Sequence, residues 1–253
     1  MFNIAINTFR EIIRNKFLYL IGFFGLLLII FSISLGKLTL GEDARVIVNF
    51  GLSMIEIFGL IGVLFVGSQL LFKEIDGKTI FLILSKPIKR HDFIIGKFLG
   101  FIMVLSIIVL FETFIFLGVL LFSGIEISIF ILLSIFFIYL KLITLIGLVL
   151  FFSTFMSTIL TILVSFLLYF VSHSFGLLIE MFTRLDISFL LYFIKTLQVL
   201  FPPFEALNLK DYIGYDIKFT NFYYIINSIY SIFYIFVILF LTSVIFNNKK
   251  FEN

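Results

Sequence analysis

Six unbroken apolar stretches dominate this sequence, at roughly 17–35, 50–72, 93–122, 127–152, 157–179 and 222–246. About 20 residues at ~1.5 Å rise cover the ~30 Å of a hydrocarbon layer. Backbone amides there find no water, so each stretch must satisfy its own hydrogen bonds as a helix. A transmembrane β-barrel is excluded, because its strands would show alternating segments of about ten residues. Only 13% of the residues are charged and 62% are hydrophobic. A soluble domain carries about 25% charge, so this chain cannot cover a water-facing surface and is not a soluble enzyme. The expected fold class is all-α: a polytopic membrane protein with an N-terminal interfacial amphipathic helix and six transmembrane helices, forming one transmembrane domain over 1–253.

Cysteine is absent and only two histidines are present, which argues against thiol chemistry and a His/Cys metal site. The net charge of +3 is scattered through short loops, a poor footprint for nucleic acid. Orientation follows from the bias of Lys and Arg towards the cytoplasm. With six spans both termini share a side. Eleven of the 18 basic residues fall on that side, six on the other, and Lys141 lies within a span. The termini are therefore expected in the cytoplasm, with the chain in the cell (inner) membrane. No small-residue cleavage site follows the first span, so it is expected to stay as a span rather than be removed as a signal peptide.

Three regions do not span. Residues 1–16 place Phe2, Ile6, Phe9, Ile12 and Ile13 on one helical stripe, with Asn3, Asn7, Arg10, Glu11 and Arg14 away from it, as suits a helix lying in the interface. Residues 180–221 are external and include an apolar run, 187–201, ended by Pro202 and Pro203. That run is read as a helix on, or dipping into, the outer surface, with a seventh span as the competing topology. The third region, 73–92, is the longest cytoplasmic loop; 247–253 is a short cytoplasmic tail.

In that loop Gly77 interrupts the second span's continuation, and Lys86-Pro87 forces an extended turn. Between them Ile80, Phe81 and Leu84 have no core of their own, so a short helix here must lie in lipid or dock into another protein. The pattern Glu74…Gly77-Lys78-Thr79…Leu84-Ser85-Lys86-Pro87…Arg90…Gly96-Lys97 resembles the cytoplasmic loop of ABC-2 type transporter permeases. Lys78, between the Gly and the Thr, departs from the family pattern. The ending Phe246-Asn247-Asn248-Lys249-Lys250 is similar to the basic tail common in that family, and the six-span layout agrees.

The resemblance implies a permease subunit of an ATP-driven exporter, without catalytic residues or a nucleotide site of its own. It implies separate ABC ATPase subunits as partners, which bind ATP and Mg, and a second permease chain as homo- or heterodimer in membrane lipid. The coupling loop would use Glu74, Asp76, Gly77, Thr79, Ile80, Phe81, Leu84, Ser85, Pro87 and Arg90. The apolar trio would bury against the ATPase, and Glu74 and Asp76 would pair with its basic groups. An alternative for Lys86, Lys89, Arg90 and Lys97 is that they only satisfy the charge bias and touch headgroups. Gly77-Lys78-Thr79 mimics a phosphate-binding loop, but the glycine required five positions earlier is Phe72.

Two ionisable residues, Glu112 and Lys141, lie deep in the third and fourth spans. Charges there are expensive and usually paired. Measured from the turn at 123–126, they lie at about 16 Å and 22 Å depth, so an intramembrane polar pair is expected. The same two residues support a competing function, an autonomous ion-gradient-driven transporter or channel. Glu56, nearer a span end, is expected to reach headgroups. Ser53 and His173 raise a third reading, an intramembrane hydrolase, which their span order disfavours.

Overall fold

The computed structural model describes residues 1–38, 42–77, 89–214 and 219–249. Its ten α-helices among these residues are α1 (Phe2–Ile13), α2 (Lys16–Gly36), α3 (Asp43–Gly62), α4 (Ser68–Asp76), α5 (Arg90–Phe122), α6 (Ile129–Ser153), α7 (Thr158–His173), α8 (Phe175–Arg184), α9 (Ser188–Leu200) and α10 (Asn221–Asn248). No strand occurs among the described residues. The all-α polytopic fold expected from the apolar runs is therefore the fold observed. Five helical stretches, Asp43–Asp76, Arg90–Phe122, Ile129–Ser153, Thr158–Arg184 and Asn221–Asn248, are long and apolar enough to cross a membrane. Within α2, Ile21–Gly36 forms a shorter apolar helix.

Helices in lipid gain little from burying apolar surface against one another, so close packing and polar contacts hold them together. The most buried spans are α6 and the continuous helix α3–α4; α7–α8 and α10 are the least covered. A π-helical turn, Val63–Gly67, joins α3 to α4. The α5–α6 connection is tight. Gly124 adopts φ +67°, a left-handed conformation that glycine takes without a Cβ clash, and Ser128 caps α6 by accepting from the Ile131 amide at 3.3 Å.

The first helix packs on α5 through only part of its surface. It buries Ala5, Thr8 and Ile12, while Phe2 is exposed and Ile6 and Phe9 are half-buried. The small residues win because α5 offers two glycines four apart, Gly96 and Gly100. A Cβ at Gly100 would lie 2.6 Å from both the Ala5 carbonyl and the Thr8 Cβ, and one at Gly96 would lie 2.8 Å from Ile4. This is the small-xxx-small arrangement that lets backbones approach. Apolar periodicity located the amphipathic stripe, of which Ile12 is buried, while Ala5 and Thr8, off that stripe, make the close approach to Gly100.

The apolar helix within residues 187–201 is shorter than the five stretches long enough to cross a membrane. The helix there, α9, has 13 residues, about 20 Å long. Asp186, at φ 54°, turns the chain between α8 and α9, and Phe201 returns to stack edge-on against Phe175 at the start of α8, 5.2 Å away. The two helices make an antiparallel hairpin. Past Pro202 and Pro203 the chain re-enters the bundle, burying Phe204, Leu207, Asn208 and Leu209.

Replacing Gly100 by Leu is expected to lift α1 from α5 and to cost about 1–3 kcal/mol through overpacking. Faster hydrogen exchange over residues 2–13, with little change in α6, would register it.

Candidate functional site

Two polar networks occupy opposite ends of the bundle. The first is built on the stems of the 73–92 loop. Lys97, about two turns into α5 and almost wholly buried, pairs with Glu74 on α4 at 2.5 Å and with Glu11 on α1 at 3.0 Å. Its ammonium also lies 5.9 Å from the Phe93 ring centroid. A buried cation with two carboxylates joins three helices through contacts stronger than neutral hydrogen bonds. Arg90 begins α5 and donates to the carbonyls of Phe246, Asn247 and Lys249 at 3.1, 2.9 and 3.1 Å. A cation thus meets carbonyls at the C-terminus of α10, the end of a helix that favours positive charge. Lys249 in turn donates to the Thr154 carbonyl at 2.5 Å, just beyond α6. Phe93 stacks on Phe246, with centroids 5.6 Å apart.

Gly77 caps α4, donating its N–H to the Lys73 carbonyl at 3.0 Å, and Asp76 is the exposed last residue of that helix. Thr79, Ile80, Phe81, Leu84, Ser85 and Pro87 lie outside the described residues.

The second network sits under the re-entrant 202–214 segment. Glu56 of α3 is buried and is shared by two cations: Lys141 of α6 reaches Oε1 at 2.6 Å, and Lys210 reaches Oε2 at 2.7 Å. Tyr169 of α7 donates to the same Oε1. Lys141 also donates to Asn208 Oδ1 at 3.2 Å, and Asn208 donates to Asp211 at 2.5 Å. Lys210 completes the cluster by donating to Ser53 at 3.3 Å. One carboxylate therefore holds α3, α6, α7 and the re-entrant segment in register.

The structure does not bring Glu112 and Lys141 together. Depth arithmetic gave their heights along neighbouring helices but not the directions in which they point. Glu112 is turned towards α2, where Gly25 leaves room for its carboxylate; a Cβ at Gly25 would lie 2.5 Å from Oε1. Both of its oxygens are buried without a hydrogen-bond partner among the described residues. Nor does Glu56 reach headgroups, because the re-entrant segment covers it. Sequence reasoning missed Glu56, Tyr169, Asn208, Lys210 and Asp211 as one cluster. The available signal was Glu56 within an apolar run, together with the polar residues soon after Pro202-Pro203.

Ser53 and His173 share no described hydrogen bond. His173 faces Asn208, with Nε2 3.4 Å from Nδ2, and Glu205, 3.9 Å from its Nδ1. No cluster of residues able to hold a metal ion occurs among the described residues. Burial pushes the Glu205 carboxyl up to about 7; Lys141 opposes the shift and Asp211 adds to it.

Membrane-length helices, two internal charge networks and a charged loop stem fit a multi-pass membrane protein. A family model described as ABC-2 family transporter protein matches residues 2–251, and the chain belongs to that family. It is accordingly a membrane permease of an ABC transporter, a transport component that is generally non-catalytic and that associates with an ABC ATPase. No curated protein matches the chain.

Glu56→Leu leaves Lys141 and Lys210 without their common carboxylate and is expected to cost about 3–5 kcal/mol, whereas the double variant Glu56→Leu/Lys141→Leu recovers part of the loss. Thermal unfolding of the detergent-solubilised chain measures both. A second prediction concerns pH. Because the folded Glu205 holds its proton more tightly than the unfolded chain, its ionisation opposes folding; the penalty is absent below about 4.5 and complete above about 7. Residues 202–214 should therefore exchange amide hydrogens faster at pH 8 than at pH 6, after correction for intrinsic rates, and Glu205→Gln should remove the difference.

Proposed function

We propose that this chain is the membrane-spanning half of an ATP-driven exporter in the cell (inner) membrane, with both termini cytoplasmic. A second permease chain completes the pathway as homo- or heterodimer. Separate ATPase subunits bind ATP and Mg and grip the 73–92 loop. One observation carries this reading: both stems of the loop are bound to helices remote in sequence. Glu74 and Lys97 tie them to α1, and Arg90 ties the loop's end to the C-terminus of α10, which Lys249 links to the α6–α7 connection.

ATP can shift a permease between states only through contacts that differ in free energy between those states. A load applied to an isolated loop would be absorbed by local bending. Here it passes through charge-assisted contacts to α1, α4, α5 and α10 together, moving helices as bodies. Glu74 and Arg90 thus position the loop, while Ile80, Phe81, Leu84 and Pro87 are assigned the contact with the ATPase. Thr79 and Ser85 border that contact. At the other end, the Glu56 cluster holds the re-entrant segment closed over the bundle, and it would have to rearrange for cargo to leave outward.

The test is reconstitution of the chain with its co-purified ATPase. Pro87→Ala and Lys97→Ala are each expected to preserve the complex yet lower transport per ATP hydrolysed about tenfold, within the usual range of coupling energies. Full transport by the reconstituted chain with no ATPase present would overturn the reading, as would labelling of cysteines placed at 73–92 from the outer face only.

A further inference from the structure

A cavity of about 650 Å³ opens where the α1–α2 corner meets the helix formed by α3 and α4. Arg14, Lys16 and Lys73 line it, all exposed and none in a described ion pair. Among the described residues Glu11 is the only acid in the lining, and it is held by Lys97 at 3.0 Å. Three cations facing one space repel one another, so their convergence favours an anionic occupant. The rest of the wall is neutral: Asn15 and Gln69 are polar, and Phe65 and Leu70 supply apolar surface. Phe65 belongs to the π-helical turn Val63–Gly67 and stays 41% exposed. Such turns widen a helix locally and occur often at functional sites.

Depth narrows the identity of the anion. Lys16 immediately precedes one apolar run and Lys73 immediately follows another, so both mark the edge of the hydrocarbon at the headgroup level. Phe65 lies about 12 Å deeper along the same helix. The cavity therefore grades from cationic to apolar, in the order of a phospholipid entered from its headgroup. A free anion would have no use for the apolar wall, and an acidic segment of a soluble partner would have to enter hydrocarbon to reach it.

We propose that this cavity binds one anionic phospholipid. Its phosphate sits among Arg14, Lys16 and Lys73, and an acyl chain runs along Phe65 and Leu70. The guanidinium suits two-pronged contact with phosphate oxygens, and the ammonium groups add point charge. The bound lipid bridges the α1–α2 corner to α4, the helix that carries Glu74, and so fastens the loop stem to the bilayer. The proposal rests on the orientation given above only in assigning the lipid to the cytoplasmic leaflet.

Native mass spectrometry of the detergent-solubilised full chain, titrated with phosphatidylglycerol or phosphatidylcholine, tests it without ATP or transport. Failure of the coupling reading therefore leaves the result unaffected, and the reverse also holds. Retention of one phosphatidylglycerol per chain in preference to phosphatidylcholine is expected. Each of Arg14→Gln, Lys16→Gln and Lys73→Gln should weaken the preference about fivefold, Lys16→Arg should keep it, and Lys195→Gln, on the distant α9, should leave it unchanged. Equal retention of the two lipids by the unaltered chain, or an undiminished preference in all three single variants, would overturn the proposal. Displacement of the bound lipid by excess inorganic phosphate would also overturn it, since the site would then hold a free anion.

Discussion

Hydrocarbon offers no water to a polar group, so an ionisable residue carried into this fold is stabilised where another part of the same chain meets it or at the membrane edge. Glu112 is the exception among the described residues. Lys141 and Glu56 obey that constraint at one end of the bundle, and Lys97 with Glu74 and Glu11 obeys it at the other. Each cluster gathers helices distant in sequence. Among spans whose apolar surfaces resemble lipid, such contacts distinguish one packing arrangement from another, which apolar matching alone does weakly. The charges thus specify the arrangement, and the apolar residues keep it in the membrane.

The two clusters differ in character, and the difference suits their proposed roles. The loop-stem network is made of strong contacts to separate helices, including Arg90 on carbonyls at the C-terminus of α10. It distributes a mechanical load. The Glu56 cluster concentrates two cations, a phenol and an amide around one carboxylate, beneath a segment that begins with two prolines. It closes a lid. A bundle fastened by contacts of this kind at both ends has discrete ways to rearrange, which a motor acting on one end can exploit.

Much of the fold was legible because a membrane permits few solutions. Six apolar runs correspond to α2, α3–α4, α5, α6, α7–α8 and α10, and the loop motif pointed to the family that the chain belongs to. The first helix was legible as amphipathic, but not in its contact with α5, where Gly96 admits Ile4 and Gly100 admits Ala5 and Thr8 at close approach. The intramembrane pairing of Glu112 with Lys141 failed for a related reason: distance along an axis says nothing about rotation around it.

Sequence alone determined that the chain enters lipid, which stretches are helical and where charged residues interrupt them, because hydrophobic length and backbone hydrogen bonding are properties of each segment separately. Only the tertiary structure decided which charges meet. Glu56 acquires Lys210 because residues 202–214 fold back across some 150 positions of chain, and Lys97 acquires Glu11 because α1 settles on two glycines. Partnership depends on helix rotation and on close approach between remote segments, neither of which is encoded in any one segment's pattern.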